Sequence, residues 1–256
     1  MKTTLLSLML AGLMPVSGMA QSASGTDRRN ELKINLPSLA VKTFSMQYER
    51  GLSGSFSTAL GLRFGPETGV PFRNLFTNSL NDTANQTANL AINSLRTSNF
   101  AITPEVRYYF SGTSDHGFYT ALFGRYATSG LSSSFQTQDD AFPNGLRPVQ
   151  ASGRYRSGGI GLLAGVKWRI RDRVSIDWWI AGPMYVSGTV RIDVNTDMTS
   201  LDADQRAQIR SDIEKGIEIG GQQLNGTVDF RDNGFAIEAP LSMLQLRTGL
   251  AIGIAF

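Results

Sequence analysis

The chain has no cysteine, a single histidine and only five lysines against nineteen arginines. Without cysteine it can form no disulfide bond, use no thiolate nucleophile and bind no metal through sulfur. Arginine's planar, multi-donor guanidinium suits buried ion-pair networks, although genomic base composition would produce the same bias. After residue 20, no stretch approaches the roughly 20 apolar residues of a membrane-spanning helix. A disulfide scaffold and a helical membrane protein are therefore excluded.

The first twenty residues predict a cleaved secretory signal peptide. Lys2 precedes an apolar run over residues 5–16, and the small residues Gly18 and Ala20 place the cut before Gln21. Loss of Lys2 leaves 23 basic and 21 acidic residues, a balance too even to predict nucleic-acid binding. The exported chain is therefore expected either to be soluble outside the inner membrane or to be a β-barrel.

The C-terminal segment, residues 242–256, alternates between two kinds of side chain. Leu250, Ile252, Ile254 and Phe256 lie on one face, and glycine, alanine and Arg247 lie on the other. A period of two predicts a β-strand with one bulky apolar face. Small or charged residues on the second face suit a crowded interior, which is typical of a transmembrane β-barrel. Phe256 is the expected barrel insertion signal.

The same alternation predicts eight antiparallel strands in an all-β, up-and-down transmembrane barrel. They cover residues 30–36, 43–50, 55–64, 100–110, 117–128, 153–170, 174–191 and 242–256. Barrels of this type have short periplasmic turns and long outer loops. The termini are both periplasmic only if residues 37–42 form a tight outer hairpin, which Pro37 favours because proline cannot donate to a strand ladder. The predicted organisation is a signal peptide at 1–20, a short periplasmic segment at 21–29 and a barrel domain at 30–256.

Aromatic residues provide an independent test of this topology, since barrels carry aromatic girdles at both membrane interfaces. The predicted periplasmic girdle contains Tyr48, Tyr108, Phe110, Phe118, Trp168, Trp178 and Phe256. The predicted outer girdle contains Phe44, Phe64, Phe100, Tyr126, Tyr155 and Tyr185. Phe100 and Tyr108 are separated by roughly 27 Å along a strand, or about 20 Å of height at a usual tilt, close to the apolar band of such barrels.

Charged residues fall on the opposite, inward-facing phase of the strands. The predicted interior charge network comprises Glu49, Arg63, Glu105, Arg107, Arg125, Lys167, Arg169, Asp177 and Arg247. An eight-stranded interior is only wide enough for side chains to fill, and buried charges must be paired or solvated. These residues therefore predict a closed interior, with a gated ion path as the alternative. A soluble barrel with an apolar ligand cavity would place large apolar side chains inside instead.

Two motifs resemble catalytic or binding signatures. Gly159, Gly161 and Ala164 spell GxGxxA, but a dinucleotide site needs a helix to begin within the motif, whereas strict alternation continues here. We therefore expect small inward-facing strand positions. His116, beside Asp115, is placed in a periplasmic turn and is expected to be a solvated residue rather than a catalytic base.

The long outer loops contain further patterns. Residues 82–96 and 201–217 carry apolar side chains at helical spacing, and residues 227–238 predict an added hairpin turning at Asn233 and Gly234. The adjacent Asp139 and Asp140 could contact a cation, but two neighbouring carboxylates specify no coordination geometry. No metal site is therefore predicted.

Three segments resemble a family of small outer-membrane β-barrel proteins common in Bacteroidota, within the OmpA-like and porin-like eight-stranded barrels. They are LKINLPSLAVKTFSMQYERGLSG, the following STALGLR of residues 57–63, and the C-terminal LRTGLAIGIAF. The resemblance implies insertion through the C-terminal strand and carries over neither an activity nor catalytic residues.

The sequence thus predicts a monomeric, non-enzymatic outer-membrane barrel without cofactor, with a structural or surface-interaction role. Its expected partners are outer-membrane lipid, the barrel-assembly machinery during insertion and an extracellular ligand of the loops. A narrow porin-like channel and a barrel enzyme acting on lipid or peptide are the alternatives.

Overall fold

The structure is a computed structural model. It describes residues 29–70, 93–138, 145–171, 173–199 and 226–256, together with the short pieces 203–204, 207–208, 211, 217–219 and 222–224. The predicted signal peptide, Asp139 and Asp140 lie outside these residues. Only fragments of the two predicted helical stretches are described, so the helices stay predictions. No helix in the described part of the chain is long and apolar enough to cross a membrane.

The described residues form an all-β structure with one short helix. The elements are β1 Asn30–Asn35, α1 Leu36–Ala40, β2 Phe44–Ser53, β3 Phe56–Gly69, β4 Arg96–Tyr109, β5 Gly117–Gln138, β6 Leu146–Ile170, β7 Val174–Asn195, β8 Ile217–Ile219, β9 Gln222–Leu224, β10 Thr227–Arg231 and β11 Gly234–Ala255. Several strands run further outward than predicted. The reason is that beyond the apolar band both strand faces are polar, so the alternation fades while the backbone ladder continues.

Nine strands make one antiparallel sheet that closes on itself. Its order is β1-β2-β3-β4-β5-β6-β7-β11-β10, and β1 pairs with the C-terminal part of β11, Glu31 opposite Ala255 and Asn35 opposite Ala251. β10 pairs with β11 alone and therefore lies outside the ring. The predicted extra hairpin is present, although its turn is at Asp232 and Asn233, with Gly234 at φ +135°.

The predicted tight hairpin at residues 37–42 is a one-turn helix, α1, followed by a turn. Asn35 caps the helix by accepting a hydrogen bond from the Ser38 N–H at 3.1 Å. Pro37 sits in the first turn, where its missing N–H costs nothing. Lys42 takes a positive φ of 55° as the chain turns into β2. The two strands are still separate elements, as the topology requires.

Alternation sorts side chains between the inside and the outside of the ring, with one interruption. In β7, Trp179 pairs with Gly165 and Ala181 pairs with Ala164, so Ile180 is an extra residue. Such a bulge shifts the phase by one residue. Trp178 and Tyr185 consequently both point outward although their numbers differ in parity. The sequence analysis placed both residues in the aromatic girdles without predicting the bulge that this requires.

The outer face carries an apolar band between two aromatic rows. Phe44, Phe64 and Phe100 lie directly opposite one another on adjacent strands and form part of the outer row. At the other rim, Phe56 packs on Tyr108 at 5.2 Å between ring centroids. Between the rows, outward-facing positions of the described strands carry no charged residue; the most exposed are Leu122, Ile160, Leu162, Leu244, Leu246 and Ile254.

One predicted girdle member is on the wrong side. Tyr155 points inward, because odd-numbered residues of β6 face the interior. Its hydroxyl donates to the Leu241 carbonyl at 3.1 Å, and its ring packs beside Ala239 and Leu241. The other predicted aromatic residues of both girdles are exposed on the outer face.

The ring wall is not a continuous ladder at every height. On its second edge β11 pairs with β10 at residues 234–238 and with β1 at residues 251–255. Residues 239–250 have no strand partner on that edge among the described residues, and α1 lies beside them. We call this stretch the β11 gap.

Candidate functional site

The half of the ring interior nearest the short turns between strands, which we call the lower half, holds a network of buried ions. We call it the ion network. Its cations are Lys33, Arg107, Lys167 and Arg247, and its anions are Glu31, Glu49, Glu105 and Asp177. All eight are buried. The four positive and four negative charges balance. This is expected, because a charge that is removed from water is costly unless an opposite charge pairs with it.

Arg107 is the centre of the ion network and is fully buried. Its guanidinium makes five hydrogen bonds, the number of N–H groups that it carries. Two go to Glu105 Oε2 at 3.1 and 2.9 Å, one to Glu49 at 3.1 Å, one to Asp177 at 2.7 Å and one to Gln47 at 2.8 Å. The planar fork therefore holds three carboxylates from three strands in place.

Glu49 accepts hydrogen bonds through both of its carboxylate oxygens. Its Oε1 accepts from Tyr109 at 2.6 Å, Ser57 at 2.7 Å and Lys167 at 3.2 Å. Its Oε2 accepts from Arg107 and from Lys33. One carboxylate thus satisfies five donors, so it cannot be replaced without leaving several of them unpaired.

Aromatic side chains complete the packing around these ions. The Tyr119 hydroxyl donates to Asp177 at 2.7 Å, and its ring lies 4.6 Å from the Arg107 guanidinium carbon. The Arg247 guanidinium carbon lies 4.3 Å from the Trp179 ring centroid. Such cation–π contacts strengthen when water is excluded.

Small residues create the room for these rings. A Cβ added at Gly165 would lie 2.5 Å from the Tyr119 ring, and one at Gly161 would lie 2.6 Å from the Phe123 ring. Gly161 therefore serves as a small strand position rather than as part of a nucleotide loop, and β6 continues as a strand through the whole GxGxxA motif.

A second region, the arginine cavity, lies on the outward side of the ion network. It has a volume of about 240 Å³ and is lined by Arg63, Arg125 and Arg247, with Trp179, Ser38 and Thr248. Arg247 bridges the two regions through an ion pair with Glu105 at 2.5 Å. Arg63 and Arg125 make no ion pair with the described residues. A larger cavity of about 630 Å³ continues outward and shares Arg63 and Val41.

The structure divides the nine predicted interior residues into three groups. Six belong to the ion network: Glu49, Glu105, Arg107, Lys167, Asp177 and Arg247. Arg63 and Arg125 line the arginine cavity. Arg169 lies opposite Ser175 near the lower rim and makes no ion pair with described residues.

Glu31 and Lys33 were left out of the predicted network. Glu31 and Lys33 are buried in β1, which reads NELKIN. The alternation of these charges with Leu32 and Ile34 was a usable signal in a strand only six residues long. Lys33 binds Glu49 of β2 and Asp177 of β7 and so links strands on the two sides of β1.

His116 lies in the turn between β4 and β5 with its side chain about half exposed. Its Nδ1 lies 2.7 Å from Asp115 Oδ1, and Thr113 also donates to that oxygen. Partial burial raises the pKa of Asp115, but these hydrogen bonds and the nearby charge outweigh it and hold the pKa below its usual value. Among the described residues, no cluster of three or more histidine or acidic side chains could hold a metal ion.

Comparison with known proteins gives little beyond this geometry. No protein-family model matches the sequence, and no curated protein matches it. One similar solved structure is a major outer membrane protein from Thermus thermophilus, with 11% sequence identity, 89% of this chain and 97% of that chain covered, and a TM-score of 0.39. A likeness at that score supports no functional conclusion. The family resemblance seen in the sequence stays a prediction.

Proposed function

We propose that this chain is an eight-stranded transmembrane β-barrel of a bacterial outer membrane, exported through a cleaved signal peptide. The observation that carries the proposal is the uncharged outer band between two aromatic rows on a closed sheet. A soluble protein rarely exposes an apolar surface that surrounds the whole molecule. Closure of the sheet also satisfies most backbone groups internally, as a lipid environment demands.

The interior supports a closed barrel rather than a pore. The ion network fills the lower half with paired side chains, and an eight-stranded ring leaves no further room at that level. The proposed role is therefore structural or surface-interacting, through the extracellular loops. Outer-membrane lipid and the barrel-assembly machinery are the proposed partners, and the barrel is proposed to act as a monomer.

Single-channel recording in planar bilayers tests the closed interior. The refolded protein should insert without stepwise conductance. Stepwise openings would instead favour the narrow porin-like channel. Replacing Gln47, which is neutral, by Ala provides a matched variant that widens the interior without unbalancing its charge.

Protease treatment of intact cells tests the topology. Cleavage within residues 71–92 or 200–226 from the outside is expected, because these segments connect strands at the end opposite the short turns. Cleavage confined to residues 171–173 would invert the orientation and overturn the proposal.

A further inference from the structure

The arginine cavity contains buried hydrogen-bond donors that have no acceptor among the residues the structure describes. They are Arg63 Nε, Arg247 Nη1 and Trp179 Nε1. Arg247 and Trp179 are more than nine-tenths buried, at 8% and 5% exposure. All three residues line the same cavity. Buried polar groups in native proteins are normally paired, so three unpaired donors around one space indicate a site for an acceptor.

Charge indicates that the acceptor is an anion. The eight members of the ion network neutralise one another, whereas Arg63 and Arg125 have no carboxylate partner among the described residues. Arg125 is repelled by Arg247 and by Arg63, and Glu105, which already pairs with Arg107 and Arg247, attracts it less than either of them repels it. Uncompensated positive charge inside a barrel is costly, and guanidinium groups match the geometry of phosphate.

The cavity also reaches the lipid-facing side of the wall. Its lining includes Thr248 of the β11 gap, which is exposed on the outer face, and Pro37 of α1. At this height the wall is formed by the β11 gap and α1 rather than by paired strands. A ligand can therefore extend sideways from the arginines into the membrane.

The depth of the cavity fits a lipid headgroup. Arg63 directly precedes Phe64 of the outer aromatic row, and Gly61 is three residues from it. At about 3.4 Å per residue, the cavity lies within roughly 10 Å of the outer interface along the strand. Headgroup phosphates lie near that interface, while acyl chains lie below it.

We propose that the arginine cavity binds the phosphate headgroup of an outer-leaflet lipid that enters through the β11 gap, with its acyl chains remaining against α1 and Leu62. The proposal rests on the proposed membrane location. Arg63 and Arg125 bind the phosphate, and Trp179 donates its indole N–H to it.

Trp179 supplies the measurement, because the chain has only three tryptophans. Trp168 and Trp178 face outward and are replaced by Phe, which leaves Trp179 as the reporter. The protein is refolded into phosphatidylcholine vesicles containing a few mole percent of lipid brominated on its acyl chains. Brominated phosphatidic acid should quench Trp179 more than brominated phosphatidylcholine at the same mole fraction.

Substitution of the unpaired arginines should remove this preference. Arg125→Gln should weaken the apparent binding of phosphatidic acid about tenfold, the fold-change expected for one charged hydrogen bond. Arg156→Gln is the matched control, because Arg156 is exposed and lies outside the cavity. Equal quenching by the two lipids, or equal effects of the two substitutions, would overturn the proposal.

Two further measurements complete the test. The first distinguishes a lipid ligand from free phosphate, and the second tests the proposed membrane location independently of binding in the cavity. Inorganic phosphate added to plain phosphatidylcholine vesicles should leave Trp179 emission unchanged, and a response to it without a preference for brominated phosphatidic acid would overturn the lipid assignment. A Trp179→Phe variant reports insertion through Trp168 and Trp178. Quenching of these two tryptophans by any brominated lipid would support the membrane location even if the cavity binds no headgroup.

Discussion

Replacing Glu49 by Gln should strongly destabilise the protein. The change removes one of four anions from the ion network and leaves four cations. In the amide, an NH2 group replaces one of the two carboxylate oxygens. Because Tyr109, Ser57 and the cations all donate to this carboxylate, the NH2 group would face other donors. Breaking a buried ion network in this way costs about 3–5 kcal/mol, or roughly 10² to 10⁴ in the unfolding equilibrium constant.

Equilibrium urea unfolding of the protein refolded into lipid vesicles measures this cost. Glu238→Gln is the matched control, because Glu238 is exposed and forms only a surface ion pair with Arg191 at 3.5 Å; its stability should match the wild type. Adding Lys33→Met to Glu49→Gln restores the charge balance and should recover part of the loss. A loss below about 1 kcal/mol for Glu49→Gln would refute the idea that the ion network holds the lower barrel together.

Three other substitutions address the interior, the outer face and the turn. Gly165→Val should displace the Tyr119 ring and lower the urea midpoint, whereas Gly158→Val, with no neighbouring atom within 4 Å, should leave it unchanged; equal effects would contradict the packing described. Leu162→Arg in the middle of the apolar band should cost about 2–4 kcal/mol in vesicles, and a negligible cost would contradict a lipid-facing position. His116→Ala should leave the unfolding midpoint and the yield of inserted protein unchanged, and loss of any hydrolase activity measured for the wild type would make His116 catalytic.

Much of the strand pattern was predictable because the outward-facing apolar band imposes strict alternation. The C-terminal segment shows this, since the bulky residues of its predicted outer face are all exposed: Leu244, Leu246, Leu250, Ile252, Ile254 and Phe256. Alternation could not predict the bulge at Ile180, because both phases of β7 contain apolar residues. Residues 129–138 of β5 were missed because serine and glutamine occur on both faces above the band.

The interior was predictable as a set of charges but not as a set of partners. Phase alone placed Glu49 and Arg107 inside, yet their contact depends on the strand register. The arginine cavity was hidden for the same reason: nothing in the sequence distinguishes Arg63, which makes no ion pair with the described residues, from Arg247, which pairs with Glu105.

The outward extensions of the strands make the barrel rim uneven. β5 continues ten residues past Thr128, the level of the outer aromatic row, and remains paired with β6 to its end. That is about 34 Å of strand, or roughly 25 Å of height at a usual tilt. The opposite side, at α1 and β2, ends close to the outer aromatic row, where Phe44 pairs with Phe64. In the proposed outer-membrane setting, a large particle approaching from outside would therefore meet the tall side of the described wall first.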